Sequence, residues 1–147
     1  MTHAPIVPLA TTAMLALMLS LVGCHPPATI DERRPYPLQL VQGDTLDVQV
    51  VRDDTHIVMT NTTARTFGPS TLWINQWYST EIDGFEPGET LRIHLGDFRD
   101  QFGDRFRAGG FFATDVPQEI ALVQIESTEA GLGTLTGLVY VNEPGDR

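Results

Sequence analysis

The chain has 147 residues, 41% of them hydrophobic and 19% charged, with 13 glycines, 10 prolines and one cysteine. These fractions give a single domain enough apolar material for a core and exclude collagen, low-complexity disorder and a multi-disulfide scaffold, because no second sulfur is present to bridge. Asp and Glu total 19 against 9 bases, all of them Arg, for a formal charge of −10; so acidic a body repels phosphate backbones, and no nucleic acid is expected as a partner.

The first segment reads as an address. Met1 to Cys24 carries no acid, Lys or Arg, and Leu9 to Val22 is a nearly unbroken apolar run. That run suits the apolar region of a signal peptide and falls short of the roughly 18–20 residues a spanning helix needs. Its end, Leu21-Val22-Gly23-Cys24, resembles the lipobox of bacterial lipoproteins. The resemblance implies removal of a signal peptide over 1–23 and lipidation of Cys24. Palmitate-type acyl chains there would be the partner of a membrane, each buried methylene contributing about 0.8 kcal/mol. His25, where that family uses Asp for inner-membrane retention, points to the outer membrane. The segment before the apolar run departs from the family pattern in having only His3 as a base.

From Cys24 to Pro37 the chain holds four prolines after the cysteine and little apolar content, which favours extended polyproline-like chain and a tether between lipid and fold. The domain proper is expected over 38–143, with a short tail at 144–147. Within it the dominant period is two: Leu46, Val48 and Val50; Ile57 and Met59; Leu91, Ile93 and Leu95; and Leu135, Val139 and Val141, the last set sharing its parity with Gly137. Turn signals such as Gly43-Asp44, Asp53-Asp54, Gly68-Pro69, Asp83-Gly84 and Pro87-Gly88 separate them. Half-buried strands at this spacing, without long helices between them, predict an all-β fold built as an antiparallel sandwich. Asn75-Gln76 between Ile74 and Trp77 reads as a tight hairpin turn. Residues 55–96 as a whole, with Asn61-Thr62-Thr63, the Trp-bearing hairpin and the Pro87-Gly88-Glu89-Thr90 turn into a strand, resemble the middle of an immunoglobulin-like or fibronectin III-like β-sandwich. Phe98, Phe102 and Phe106 recur every four residues behind Asp97, which predicts a short helix or turn-helix over 97–106 plugging one end of the sandwich.

Candidate chemistry is sparse. Asp97, Asp100 and Asp104 are acids, but their spacing differs from a calcium loop, and Arg99, Arg105 and Arg107 interleave with them; they read as a solvated face. His56 and His94 fall on the polar parity of their strands and approach one another only if those strands pair; with the one thiol committed to lipid, no metal and no other cofactor is expected. No G-x-S-x-G elbow, no phosphate loop and no distinctive carboxylate pair is present, so no catalytic residue is assigned and the protein is read as no enzyme. Trp73, Trp77 and Tyr78 remain as candidates for ligand or partner binding, since flat aromatic faces on a hairpin stack on sugar rings or bury in a protein partner. The expectation is a cell-envelope lipoprotein acting as a non-catalytic structural or protein-interaction module on another envelope protein. The alternative is a carbohydrate- or peptidoglycan-binding module.

Overall fold

The computed structural model describes residues 34–127 and 133–141. Among these described residues eight strands run in order: β1 (Val41–Gln42), β2 (Leu46–Asp53), β3 (His56–Thr60), β4 (Ser70–Ile74), β5 (Tyr78–Ile82), β6 (Thr90–His94), β7 (Val123–Ser127) and β8 (Thr134–Val141). The all-β expectation holds. The pairing is mixed, where an antiparallel arrangement was expected: one continuous sheet runs β5-β4-β7-β8-β2-β3-β6, and both β1 and β2 lie parallel to β8. The chain passes from β1 to β2 along one edge of β8, which needs a close approach at Gly137, where an added Cβ would sit 2.8 Å from Thr45 Oγ1. The β2–β8 register shifts between Leu46 and Gln49 as the strand clears that crossing.

The sheet curls so that one face lines a common core. Val48 and Val50 of β2, Ile57 and Met59 of β3, Leu72 and Ile74 of β4, Val123 and Ile125 of β7, and Leu138 of β8 pack there with Phe67, Phe85, Leu95, Phe98 and Phe106. Each fully buried aliphatic contributes about 1.5–3 kcal/mol. The alternation read in β2, β3 and β6 places the inward residues as expected. In β8 the parity is the reverse of the expectation: Leu138 and Tyr140 face the core, while Val139 is exposed. Leu135, on the other parity, is buried where the β1 passage crosses it, its carbonyl accepting from Gly43 N–H; an apolar residue on the outer face is covered by chain rather than by the core.

The predicted helix is absent. In this stretch a single 3-10 turn, Leu95–Asp97, is helical, and the chain then doubles back: Arg99 bridges Arg105, Phe106 N–H donates to Phe98 O, and Gly103 turns the corner at φ 89°. Phe98 and Phe106 therefore meet across a small hairpin and both enter the core, leaving Phe102 at the tip 63% exposed. A spacing of four arises here from opposition across a turn, which mimics a helical period.

Candidate functional site

The site is assembled by an N-terminal strap, the β4–β5 turn and the hairpin of Phe98 to Phe106. Every residue of β4 and β7 is buried. Leu72, Ile74, Val123 and Ile125 face the core, while Thr71, Trp73, Gln124 and Glu126 face outward and are covered by Arg34 and Tyr36. The Arg34 guanidinium lies 5.2 Å over the Trp73 ring and donates to Glu126 Oε2 at 2.5 Å. Trp73 Nε1 donates to the same oxygen at 2.9 Å. Tyr36 meets Trp73 edge-on at 5.2 Å, and its hydroxyl donates to Gln124 Oε1 at 2.8 Å. Glu126, a carboxylate left 7% exposed, is thus both paired and hydrogen-bonded, which is what makes its burial tolerable. Arg34 to Pro37, tether by composition, are layered on the sheet. Cys24 and the signal segment lie outside the described residues, as does the tail at 144–147.

At the end of the strap the β4–β5 turn carries positive φ at Asn75 (55°) and Gln76 (57°), with Trp77 N–H donating to Ile74 O. This is the mirror-image turn that suits the twist of a hairpin. Asn75 also holds the chain entering β7: its Oδ1 accepts from Ala121 N–H and Leu122 N–H, and its Nδ2 donates to Glu119 O. The ladder pairs Ile74 with Tyr78, so Trp77 is left over at the turn. Its indole is 48% exposed, stands 6.4 Å from the Phe102 ring, and its Nε1 donates to Asp100 Oδ2 at 3.1 Å. Asp100 is buried, and its other oxygen accepts from Phe102 N–H and Asp104 N–H. That carboxylate is a turn-builder, and the three acids read as one helical face are not on a common face at all. Pro35, Tyr36, Leu38, Gln76, Trp77 and Gln101 enclose a mainly apolar pocket of about 210 Å³.

The three aromatic candidates do not form one platform. Trp73 is fully buried beneath Arg34 and Tyr36. Tyr78 is half-buried against Phe106, its hydroxyl accepting from Gln118 Nε2. Only Trp77 is presented outward. Other residues accompany it: Leu38 at 80% exposure, Phe102, and a second aromatic pair, Phe111 and Phe112, at 95% and 91%. That pair sits on a loop closed at its neck by Arg107 and Gln118, beside the β2–β3 turn, where Arg52 donates to Ala108 O and Gln118 O. The β2–β3 turn, the β4–β5 turn, the Phe98 to Phe106 hairpin and this loop all gather at the end where β2, β4 and β8 terminate, so the aromatics share one pole of the molecule. The Phe111-Phe112 doublet, bounded by Gly109-Gly110 and Pro117, was the sequence signal for an exposed loop. Arg34 gave none, because its partner Glu126 lies far along the chain.

His56 and His94 are register partners on β3 and β6, their rings 4.9 Å apart. His94 Nδ1 accepts from Gly96 N–H and His56 Nδ1 lies against Thr55 Oγ1. Beside them on the β3 side, Asp53 is held below the ordinary carboxylate range by a hydrogen bond and charge from Arg92. Among the described residues no group of three His, Cys, Asp or Glu is placed to hold a metal ion.

The chain matches no family model, no curated protein and no solved structure.

Proposed function

We propose that the protein is a bacterial envelope lipoprotein, anchored through acyl chains on Cys24 in the outer membrane, whose domain works as a non-catalytic module docking on another envelope protein through its aromatic pole. The observation that carries this reading is the concentration of exposed Trp77, Phe102, Phe111 and Phe112 at one end of an acidic chain. Exposed apolar groups gathered into a patch mark interaction sites, whereas scattered ones need no explanation. Asp104, Arg105, Arg107, Asp115 and Glu119 lie exposed beside them in sequence and supply charges of both signs, the composition of a polar rim around an apolar interface centre. Net acidity argues against anionic headgroups as the target. We further read β2-β3-β6 and β5-β4-β7-β8 as the two layers of an immunoglobulin-like or fibronectin III-like sandwich joined where β2 pairs with β8, a reading supported by the strand order.

Two experiments test it. Cys24→Ala should move the protein from the membrane fraction to the soluble one; retention would refute the anchor. A photo-crosslinking residue at positions 77, 102, 111 and 112 should give one common adduct in native membranes that is absent from Thr62 and Ala64 at the opposite pole. Adducts equally frequent at both poles would refute the docking surface.

A second reading, glycan or peptidoglycan binding, is favoured by one feature: the Gln76 and Gln101 amides flank the Trp77 pocket, offering hydrogen bonds beside an indole face. Trp77 is exposed and Trp73 buried, so a shift of tryptophan emission on adding muropeptides, abolished by Trp77→Phe, would support it. An unchanged spectrum would leave the protein-docking reading as the one to keep.

A further inference from the structure

The curled sheet does not close. Its two terminal strands, β5 and β6, border an open seam of about 470 Å³ lined by Glu81, Ile82, Asp83, Glu86, Glu89, Leu91 and Ile93. We propose that this seam binds an extended, basic peptide segment of a partner protein by strand addition. The site is separate from the aromatic pole and shares no residue with it.

Three observations converge. The first is the backbone. Leu95 N–H and Glu89 O bond towards β3, to Thr55 O and Asn61 N–H; because successive residues of a strand alternate direction, Thr90, Arg92 and His94 turn their N–H and C=O groups to the seam. On β5, Ser79 exchanges both of its outward bonds with Arg99, so Glu81, two residues on, aims its own pair the same way. Among the described residues no hydrogen bond occupies these outward groups at Glu81, Thr90 or Arg92. The second is the floor. Ile82, Leu91 and Ile93 are only half-buried although they pack on the core, so the alternate side chains of an added strand would cover them. The third is charge. The lining carries Glu81, Asp83, Glu86 and Glu89 and no base, and Arg92 beside it is already paired with Asp53. An incoming strand with apolar residues inward and Lys or Arg outward satisfies all three, the recognition mode in which main-chain bonds give affinity and alternate side chains give specificity.

The probe is a short synthetic peptide alternating lysine and valine, titrated into the full-length protein and followed by anisotropy and by amide hydrogen exchange. Binding is expected, together with slowed exchange at Glu81, Thr90 and Arg92. The glutamate–valine peptide should not bind, and N-methylation of the lysine–valine peptide at alternate residues should weaken it by about tenfold or more, since each lost main-chain bond leaves an edge group unpaired. Asp83→Lys with Glu89→Lys should weaken it by a similar factor, while Trp77→Ala at the pole leaves it unchanged. Binding indifferent to N-methylation, binding without slowed exchange at those amides, or a seam filled by a second copy of the chain before peptide is added would each overturn the proposal. All of these outcomes are independent of whether the aromatic pole docks a partner.

Discussion

Arg34→Ala is the perturbation that tests most of the architecture around Trp73. Among the described residues the guanidinium is the ionic partner of Glu126 and lies over the indole, and Trp73 Nε1 is the other side-chain donor to that carboxylate. Breaking a fully buried pair by removing one member costs about 3–5 kcal/mol, and a surface pair about 0–1 kcal/mol. Here the carboxylate is 8% exposed and the guanidinium 45%, so the expected loss falls between these limits at about 2 kcal/mol, the stacking on Trp73 included. For a domain of this size that lowers Tm by roughly 8–12 °C. Thermal unfolding followed by far-UV circular dichroism measures it, and tryptophan emission should shift to the red as the strap leaves Trp73. Adding Glu126→Gln should return about 1 kcal/mol, because a neutral amide still accepts from the indole and no buried charge is stranded. Unchanged Tm and emission in the single variant, or no recovery in the double, would refute the account of Glu126 as a carboxylate sustained by the strap.

Phe98→Ala should cost about 3–5 kcal/mol and Phe102→Ala within about 0.5 kcal/mol of nothing, a contrast the hairpin requires and a helix presenting both on one face would not give; urea unfolding separates them. Gln76→Gly, at a positive φ, should stabilise by about 0.5–1 kcal/mol, read as a raised urea midpoint with unchanged slope, and a destabilised variant would sink the turn assignment. The Asp53 carboxyl should titrate below the ordinary range and return to it in Arg92→Gln, as followed by side-chain NMR. Since the folded value is the depressed one, its contribution is full above the ordinary carboxylate pKa and is lost as pH falls through the folded value. The pair is solvent-exposed, so added salt should shrink the effect.

Strands with one wet face were legible from sequence. β2, β3 and β6 alternate cleanly because their outward residues meet solvent, and that contrast is what a period of two records. The strands the reading missed or inverted are those buried on both faces. Val123 and Ile125 of β7 do alternate with Gln124 and Glu126, but the polar members are covered by Arg34 and Tyr36, and the outer Leu135 of β8 is covered by the β1 passage. Where chain from a distant part of the sequence supplies the second cover, local pattern cannot say which parity faces the core. The same holds for the phenylalanines, since opposition across a hairpin and adjacency along a helix give one spacing. Trp77 was found because an Asn-bearing turn announces itself; the pole it belongs to was not, because three separate loops must be brought together before the patch exists.

The first long strand and the last lie side by side, β2 along β8. A chain delivered amino end first from a ribosome cannot lay down the middle of its sheet until β8 arrives. Early segments can form the β2–β3 hairpin and its pairing with β6, but the other arm has nothing to join them to. Closure waits on the carboxyl end, an ordering by loop length that also predicts slow folding relative to local topologies. Until β8 arrives the two arms of the sheet stay unjoined, so the strand made last acts as the latch for the strand made first.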